Sequence, residues 1–207
     1  MTAEYVVHIV DDDEAMRHSL AFMLTVSGFA VRLHATALEF LGMAHSIGRG
    51  CLVTDLRMPD MSGVDLLRKL KLKDIALPTI IISGHGDIPM AVTAMKAGAS
   101  DFIEKPFEAD ILIGAIRAVM DDRPVQPAQD AATARQIRER LATLTAREKD
   151  VLLGVVDGLP NKTIAHELQI SPRTVEVHRA NVMAKMNARS LPELVRLAIS
   201  VNLTAAI

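Results

Sequence analysis

Val6-Val7-His8-Ile9-Val10 runs directly into Asp11-Asp12-Asp13, and this junction decides the fold. Five mostly apolar residues suit a buried strand, and three successive aspartates end it at a polar edge. The same pattern recurs outward along the chain. Cys51-Leu52-Val53-Thr54 ends in Asp55, Thr79-Ile80-Ile81-Ile82 ends in Ser83, and Phe102-Ile103-Glu104 ends in Lys105-Pro106. Helical patterns fall between them, near residues 14–27, 36–44, 63–72, 88–98 and 108–120, with Gly28 and Gly98 as stop signals. Short apolar strands alternating with helices predict a parallel sheet covered on both faces. The expected fold class is α/β, a five-stranded parallel doubly wound domain, with ligands at the carboxyl ends of its strands.

Half of the 207 residues are apolar, which supplies ample core for one or two domains. The single cysteine, Cys51, cannot form an internal disulfide and sits in an apolar run as a buried thiol. The N-terminus has too few apolar residues before Asp11 for a signal peptide, and no run approaches the ~18 residues of a membrane span. A soluble, cytoplasmic protein without membrane contact is expected.

Net charge is −2, unevenly spread: residues 1–122 hold 11 Lys+Arg against 17 Asp+Glu, residues 123–207 hold 12 against 8. An acidic module is joined to one that tolerates a polyanion. The join is read at Asp121 to Asp130, where Pro124 and Pro127 bar continuation of the fifth helix. The expected domains are 1–122, a linker at 123–142 with helix over 131–142, and 143–207. The last reads as an all-α four-helix domain. Thr145-Ala-Arg-Glu148 and Ser190-Leu-Pro-Glu193 are capping boxes, Ser171-Pro172 opens a helix reaching Met186, and Lys162–Leu168 is a short helix before it. A short helix, a tight turn and a long helix suggest helix-turn-helix geometry.

Each polar landmark carries chemistry. Clustered carboxylates repel, and an oxygen-only set suits Mg²⁺, which takes one or two carboxylates plus a phosphate. Lys105 supplies a point charge for a phosphoryl oxygen, the Ser83 hydroxyl can donate to another, and an exposed Asp55 can act as nucleophile toward phosphorus. In the tail, setting residues at 100° per position puts Val175, Val182, Met183 and Met186 inward with Arg179 at the edge. The opposite face carries Arg173, Val177, Ala180, Asn181 and Ala184. Small residues there admit close approach to a major groove. Asn181 can pair with adenine, Arg173 with guanine or phosphate, and Val177 with a thymine methyl. Glu176 flanks this face, where it would repel phosphate or accept from a cytosine amine, and is given no fixed partner. His8, inside a strand, reads as a packed side chain, and Gly84-His85-Gly86 as a tight turn.

Asp11-Asp12, Asp55 with Pro59 and Gly63, Ser83 and Lys105-Pro106 resemble the receiver domain of two-component response regulators over about residues 4–120. The resemblance implies Asp55 as phospho-acceptor, and Asp12, Asp55 and the Arg57 carbonyl as Mg²⁺ ligands with Asp11 acting through water. It further implies Ser83 and Lys105 on the phosphoryl group, a cis Lys105-Pro106 bond, and a dimer and switch face at Val92, Lys96, Asp101 and Phe102. Asp13 receives no role.

Leu144-Thr-Ala-Arg-Glu148, Gly158 to Ala165 and Ser171-Pro-Arg-Thr174-Val-Glu-Val-His178 resemble the LuxR/NarL type of DNA-binding domain over about residues 143–203. That adds Lys162, Thr174 and Lys185 to the DNA-binding residues. The combined pattern is most similar to regulators of rhizobial nitrogen-fixation genes. It implies an activator that is not an enzyme, an oxygen-sensing sensor histidine kinase as phosphodonor, promoter DNA and RNA polymerase as partners, and a homodimer when phosphorylated. Two other readings compete: a receiver whose helical tail recruits protein, and a Mg²⁺-dependent aspartyl-phosphate phosphatase. The phosphatase pattern needs Thr or Val where Ala15 stands and leaves Asp55 unexplained.

Overall fold

The computed structural model describes residues 5–84, 88–120, 127–201 and 203. Among them the chain divides into two compact units, residues 5–84 with 97–120, and residues 88–96 with 127–201 and 203.

The element order is β1 (Val6–Val10), α1 (Glu14–Val26), β2 (Ala30–His34), α2 (Ala37–Met43), a 3-10 turn (Ala44–Ser46) and β3 (Gly50–Asp55). Then follow α3 (Gly63–Leu72), β4 (Thr79–Ser83), α4 (Ile88–Ala97), β5 (Asp101–Glu104) and α5 (Ala109–Met120). The sheet is wholly parallel in the order β2-β1-β3-β4-β5. Its order reverses between β1 and β3, and such a switch point opens a crevice at the carboxyl edge. Register sets the edge: Val10 pairs with Thr54, Asp55 with Ile82, and Ser83 with Glu104.

Alternation along β1 builds two cores. Val7 and Ile9 join Leu20 and Leu24 of α1 and Leu112 and Ile116 of α5 on one face. Val10 joins Phe40 of α2 and Leu66 and Leu70 of α3 on the other. Cys51 is buried as expected. Helix starts follow local chemistry. The Thr36 hydroxyl accepts from the Glu39 amide to open α2, and the Ser62 hydroxyl does the same for Asp65 and α3. Gly28 (φ 88°) and Gly98 (φ 96°) take the left-handed conformation that stops a helix.

The second unit is helical: α6 (Pro127–Ala142), α7 (Ala146–Val156), α8 (Asn161–Leu168), α9 (Pro172–Met186) and α10 (Leu191–Ser200). Two expectations are corrected. The linker was expected to become helical only at 131, but α6 begins at Pro127, because proline at a first helical position loses only an amide that has no partner there. Ile137 of α6 lies in the core with Leu144, Val155, Val182 and Met186, so this segment is part of the helical unit. Ser190 caps α10 by accepting from the Glu193 amide, but the Glu193 carboxylate accepts from the Arg189 amide (2.8 Å) instead of closing the box on Ser190. At Thr145 the box is complete. Residues 85–87, which include most of the expected Gly84-His85-Gly86 turn, and 121–126 of the expected linker lie outside the described residues.

Candidate functional site

β1 delivers Asp11 to the carboxyl edge, where it is buried (3 % exposed). One carboxylate oxygen accepts from the Asp13 amide (2.9 Å) and the other from Lys105 Nζ (3.1 Å). Asp55, at the tip of β3, accepts from the same ammonium at 2.7 Å and from the Arg57 amide at 2.6 Å. Lys105 follows β5, its amide donating to the Ser83 carbonyl (2.7 Å), and the Lys105-Pro106 bond is cis. Ser83 is buried at the tip of β4, while Asp12 and Arg57 are exposed. The four landmarks thus share one edge, and a single ammonium joins two carboxylates there.

Burial works against the positive charge of Lys105, but its bonds to Asp55 and Asp11 outweigh it and raise its pKa. Asp11 is also shifted upward. Burial disfavours its anion and Asp55 repels it, more than the Asp13 amide and Lys105 favour it. Among the described residues no three His, Cys, Asp or Glu side chains are grouped to hold a metal unaided. The donor chemistry nevertheless fits Mg²⁺, a hard cation that keeps several waters and needs only one or two carboxylates.

Several positioning residues were not read from the sequence. Asp13, left without a role, caps α1 by accepting from the Ala15 and Met16 amides (2.8 and 3.2 Å). Arg17 Nη1 donates to the carbonyls of Asp11 (2.8 Å) and Asp12 (3.0 Å), pinning the acidic turn to α1. Gly63 is needed for close approach, since a Cβ there would lie 2.4 Å from the Asp55 carbonyl oxygen. His8 is packed as expected, its Nδ1 hydrogen-bonded to His34 Nε2 (3.1 Å) and its ring against Phe40. On the expected dimer and switch face, Lys96 is exposed and Asp101 half-buried, but Phe102 is buried. Val92 lies on the buried apolar stripe of α4 and is 2 % exposed.

In the second unit, α8 and α9 are joined through Gln169 (φ 56°), Ile170 and the Ser171 cap. Val175, Val182 and Met186 face inward, each at most 1 % exposed, and Met183 is half-buried. Arg179 donates to Asn161 Oδ1 of α8 (2.9 Å) and so ties the two helices together. Arg173, Glu176, Val177, Ala180, Asn181 and Ala184 are exposed on the other side of α9, as is Lys162 on α8. Half-exposed Val177 on such a face is an apolar group without internal work.

Arg173 pairs with Glu176 (3.0 Å), which gives Glu176 a partner on its own helix. Thr174 is half-buried, its hydroxyl within 2.8 Å of Ser171 Oγ in the cap. Lys185, expected at the DNA, has partners within its own unit. Its ammonium reaches back to buried Glu148 (2.6 Å) and the Thr143 carbonyl (3.4 Å). Arg140 of α6 likewise donates to the Met186 carbonyl at the end of α9 (3.1 Å), where a cation suits the helix dipole.

Comparison with known proteins accounts for both units. The model of the response regulator receiver domain matches residues 7–117, and that of the bacterial regulatory proteins of the luxR family matches residues 142–198. The transcriptional regulatory protein FixJ of Rhizobium meliloti (strain 1021) is 61% identical over 197 residues, 95% of this chain and 96% of that protein. The response regulator protein TmoT of Ectopseudomonas mendocina is 45% identical over 193 residues, 93% of this chain and 87% of that protein. The crystal structure of full-length FixJ from B. japonicum is similar with a TM-score of 0.56 and 47% identity, over 98% of this chain and 99% of that one. Receiver and luxR-family regulatory domains, with FixJ a transcriptional regulatory protein, set aside the phosphatase reading. No helix among the described residues is long and apolar enough to cross a membrane. An acidic edge paired to one lysine, a helix-turn-helix with an open face, and these likenesses have one meaning: the chain belongs to the two-component response regulators that join a receiver domain to a LuxR-type DNA-binding domain, and it is FixJ-like.

Proposed function

We propose that this chain is switched by phosphorylation of Asp55 and, once phosphorylated, dimerises, binds promoter DNA and recruits RNA polymerase. The observation that carries this reading is the Lys105 ammonium 2.7 Å from the Asp55 carboxylate at the shared strand edge. A carboxylate oxygen of Asp55 attacks the phosphorus of a phosphohistidine on a sensor kinase. The P–N bond breaks, the imidazole leaves with a proton from water, and an acyl phosphate remains on Asp55. Asp12, Asp55 and the Arg57 carbonyl are the residues to hold Mg²⁺, with Asp11 through water, and the ion supplies neutralisation of the phosphoryl charge. Lys105 is already placed to follow that charge as it leaves Asp11, and the Ser83 hydroxyl can donate to it from β4.

A switch of this kind moves a population. Passing from mostly inactive to mostly active takes about 5.5 kcal/mol, within reach of a dianion held by an ammonium, a hydroxyl and a cation. Dimerisation through the α4–β5 region, where Lys96 and Asp101 stand, then doubles the DNA contacts. A single small domain binds non-specifically at about 10⁻⁴–10⁻⁶ M, and linking two raises the effective concentration of the second. Arg173, Val177, Ala180 and Asn181 form the reading face. On this reading the targets are nitrogen-fixation genes and the phosphodonor is an oxygen-sensing kinase, a reading that the 61% identity to FixJ supports.

Footprinting of a nitrogen-fixation promoter with and without a small-molecule phosphodonor tests this. Protection is expected only with the donor, and Asp55→Asn should abolish the difference. Equal protection in every case would overturn the reading. A tail that recruits protein instead would show no steep loss of DNA affinity with salt.

A further inference from the structure

We propose that a second, small anion site lies in the first unit, in a pocket of about 160 Å³ walled by Val6 and His8 of β1, Arg32 of β2, and Ser46, Ile47 and Arg49 ahead of β3, and that it takes a protonated oxyanion such as monobasic phosphate. Val6 opens β1 and Arg49 immediately precedes β3, so the pocket lies toward the end of the sheet opposite the Asp55 edge.

The walls carry two guanidinium groups and no carboxylate. Among the described residues neither Arg32 nor Arg49 has a carboxylate within salt-bridge distance, whereas seven other arginine and lysine side chains do. Two unpaired guanidinium forks beside one small cavity match an oxyanion in charge and geometry. The volume falls below the 300–1,000 Å³ of drug-sized pockets, which excludes a nucleotide and leaves room for a single phosphate-sized group.

His8 in the wall adds selectivity, backed by His34, which lies behind it and does not line the pocket. His8 and His34 are 2 % and 4 % exposed, stack at 5.3 Å and share a hydrogen bond from ring to ring. His34 Nδ1 is buried, has no hydrogen-bond partner and lies 3.8 Å from Glu39 Oε1 of α2. That carboxylate favours a proton on His34 Nδ1. His34 Nε2 then accepts from His8 Nδ1–H, and His8 Nε2 is left as a lone pair. An oxyanion without a proton would meet that lone pair unfavourably. One carrying an O–H donates to it while accepting from the arginines.

The charged groups around the pair agree. Burial, His34 and Arg32 push His8 down to about 4. His34 is also lowered by burial, against the pull of Glu39. The empty pair is therefore neutral near pH 7, and the proton must come with the anion. Phosphate can bring one; sulfate cannot.

Inorganic phosphate titrated into the full chain, with the ring nitrogens of His8 and His34 followed by NMR, tests the site without relying on the Asp55 edge. A saturable shift at His8 is expected, tighter at about pH 6 than at about pH 8, with sulfate weaker under both conditions. Arg32→Gln and Arg49→Gln, both at exposed positions, should each weaken binding about tenfold with folding unchanged, while Asp55→Asn keeps it. Ring signals unmoved at tens of millimolar phosphate, or a shift that survives both arginine substitutions, would overturn the site. Equal response to sulfate would overturn its protonated specificity.

Discussion

Lys105→Met keeps the apolar stem and removes the charge that holds the acidic edge together. The ammonium lies 2.7 Å from Asp55 and 3.1 Å from Asp11, with side-chain exposures of 19%, 12% and 4% for lysine, Asp55 and Asp11. At an effective dielectric of about 20 these contacts correspond to roughly 6 and 5 kcal/mol. Burial of three charges and repulsion between the two carboxylates offset most of that. Removing one partner from such a cluster leaves a net loss of about 3–5 kcal/mol near neutral pH. The loss should depend on pH. Without Lys105, Asp11 keeps the burial and the Asp55 repulsion that raise its pKa and loses a group that lowered it. The folded variant then holds a proton that the unfolded chain releases, so its deficit shrinks as pH falls through that raised pKa. Urea unfolding of both chains across acidic to neutral pH measures this, with Lys105→Met/Asp11→Asn expected to recover most of the loss at neutral pH. A deficit independent of pH and untouched by Asp11→Asn would show that Lys105 does not offset the Asp11 charge.

Glu148 is held down to about 2, first by its bond to Lys185 and then by the Thr145 amide. A lowered carboxylate stabilises the helical unit above its unfolded value of about 4.5, and that contribution vanishes as pH falls through about 2. Acid titration of the unit's unfolding should therefore lose this slope in Glu148→Gln; an unchanged slope would contradict it. His8, lowered to about 4, has the opposite origin but a like consequence. Stability of the first unit should drop by about 3 kcal/mol as pH falls from 6.5 to 4, because the unfolded chain takes the proton first, and His8→Phe should flatten that stretch of a denaturation series. Met186→Ala, at a fully buried position on the inner face of α9, should cost about 2–5 kcal/mol in chemical unfolding. Val177→Ala, half exposed, should leave unfolding within about 0.5 kcal/mol while weakening operator binding.

What the residues revealed beforehand follows from the range of each interaction. The strands ending in Asp11, Asp55, Ser83 and Lys105 were legible because a buried parallel strand needs an unbroken apolar run, and a polar residue at its tip is visible at once. Parallel pairing then brings those tips together without further information. Asp13 was opaque for the reverse reason: three adjacent aspartates look alike, and only backbone geometry shows which caps α1. Arg17 acts through backbone carbonyls, which leave no sequence trace. Lys185 fell on the flank of α9, and its partner Glu148 is 37 residues away, a pairing that helical spacing cannot reveal. His8 and His34 meet across neighbouring strands in the same manner. Pro127 carried two meanings, break or first helical residue, and local pattern favoured the wrong one.

The proposed switch rests on Asp55 as the residue that receives the phosphoryl group. The most direct measurement treats the full chain with Mg²⁺ and a phosphoramidate donor, traps the acyl phosphate by borohydride reduction, and maps the reduced residue by peptide mass spectrometry. Reduction at position 55 alone, absent from Asp55→Asn, is the predicted result. Label on another side chain, or label that persists in Asp55→Asn, would contradict it.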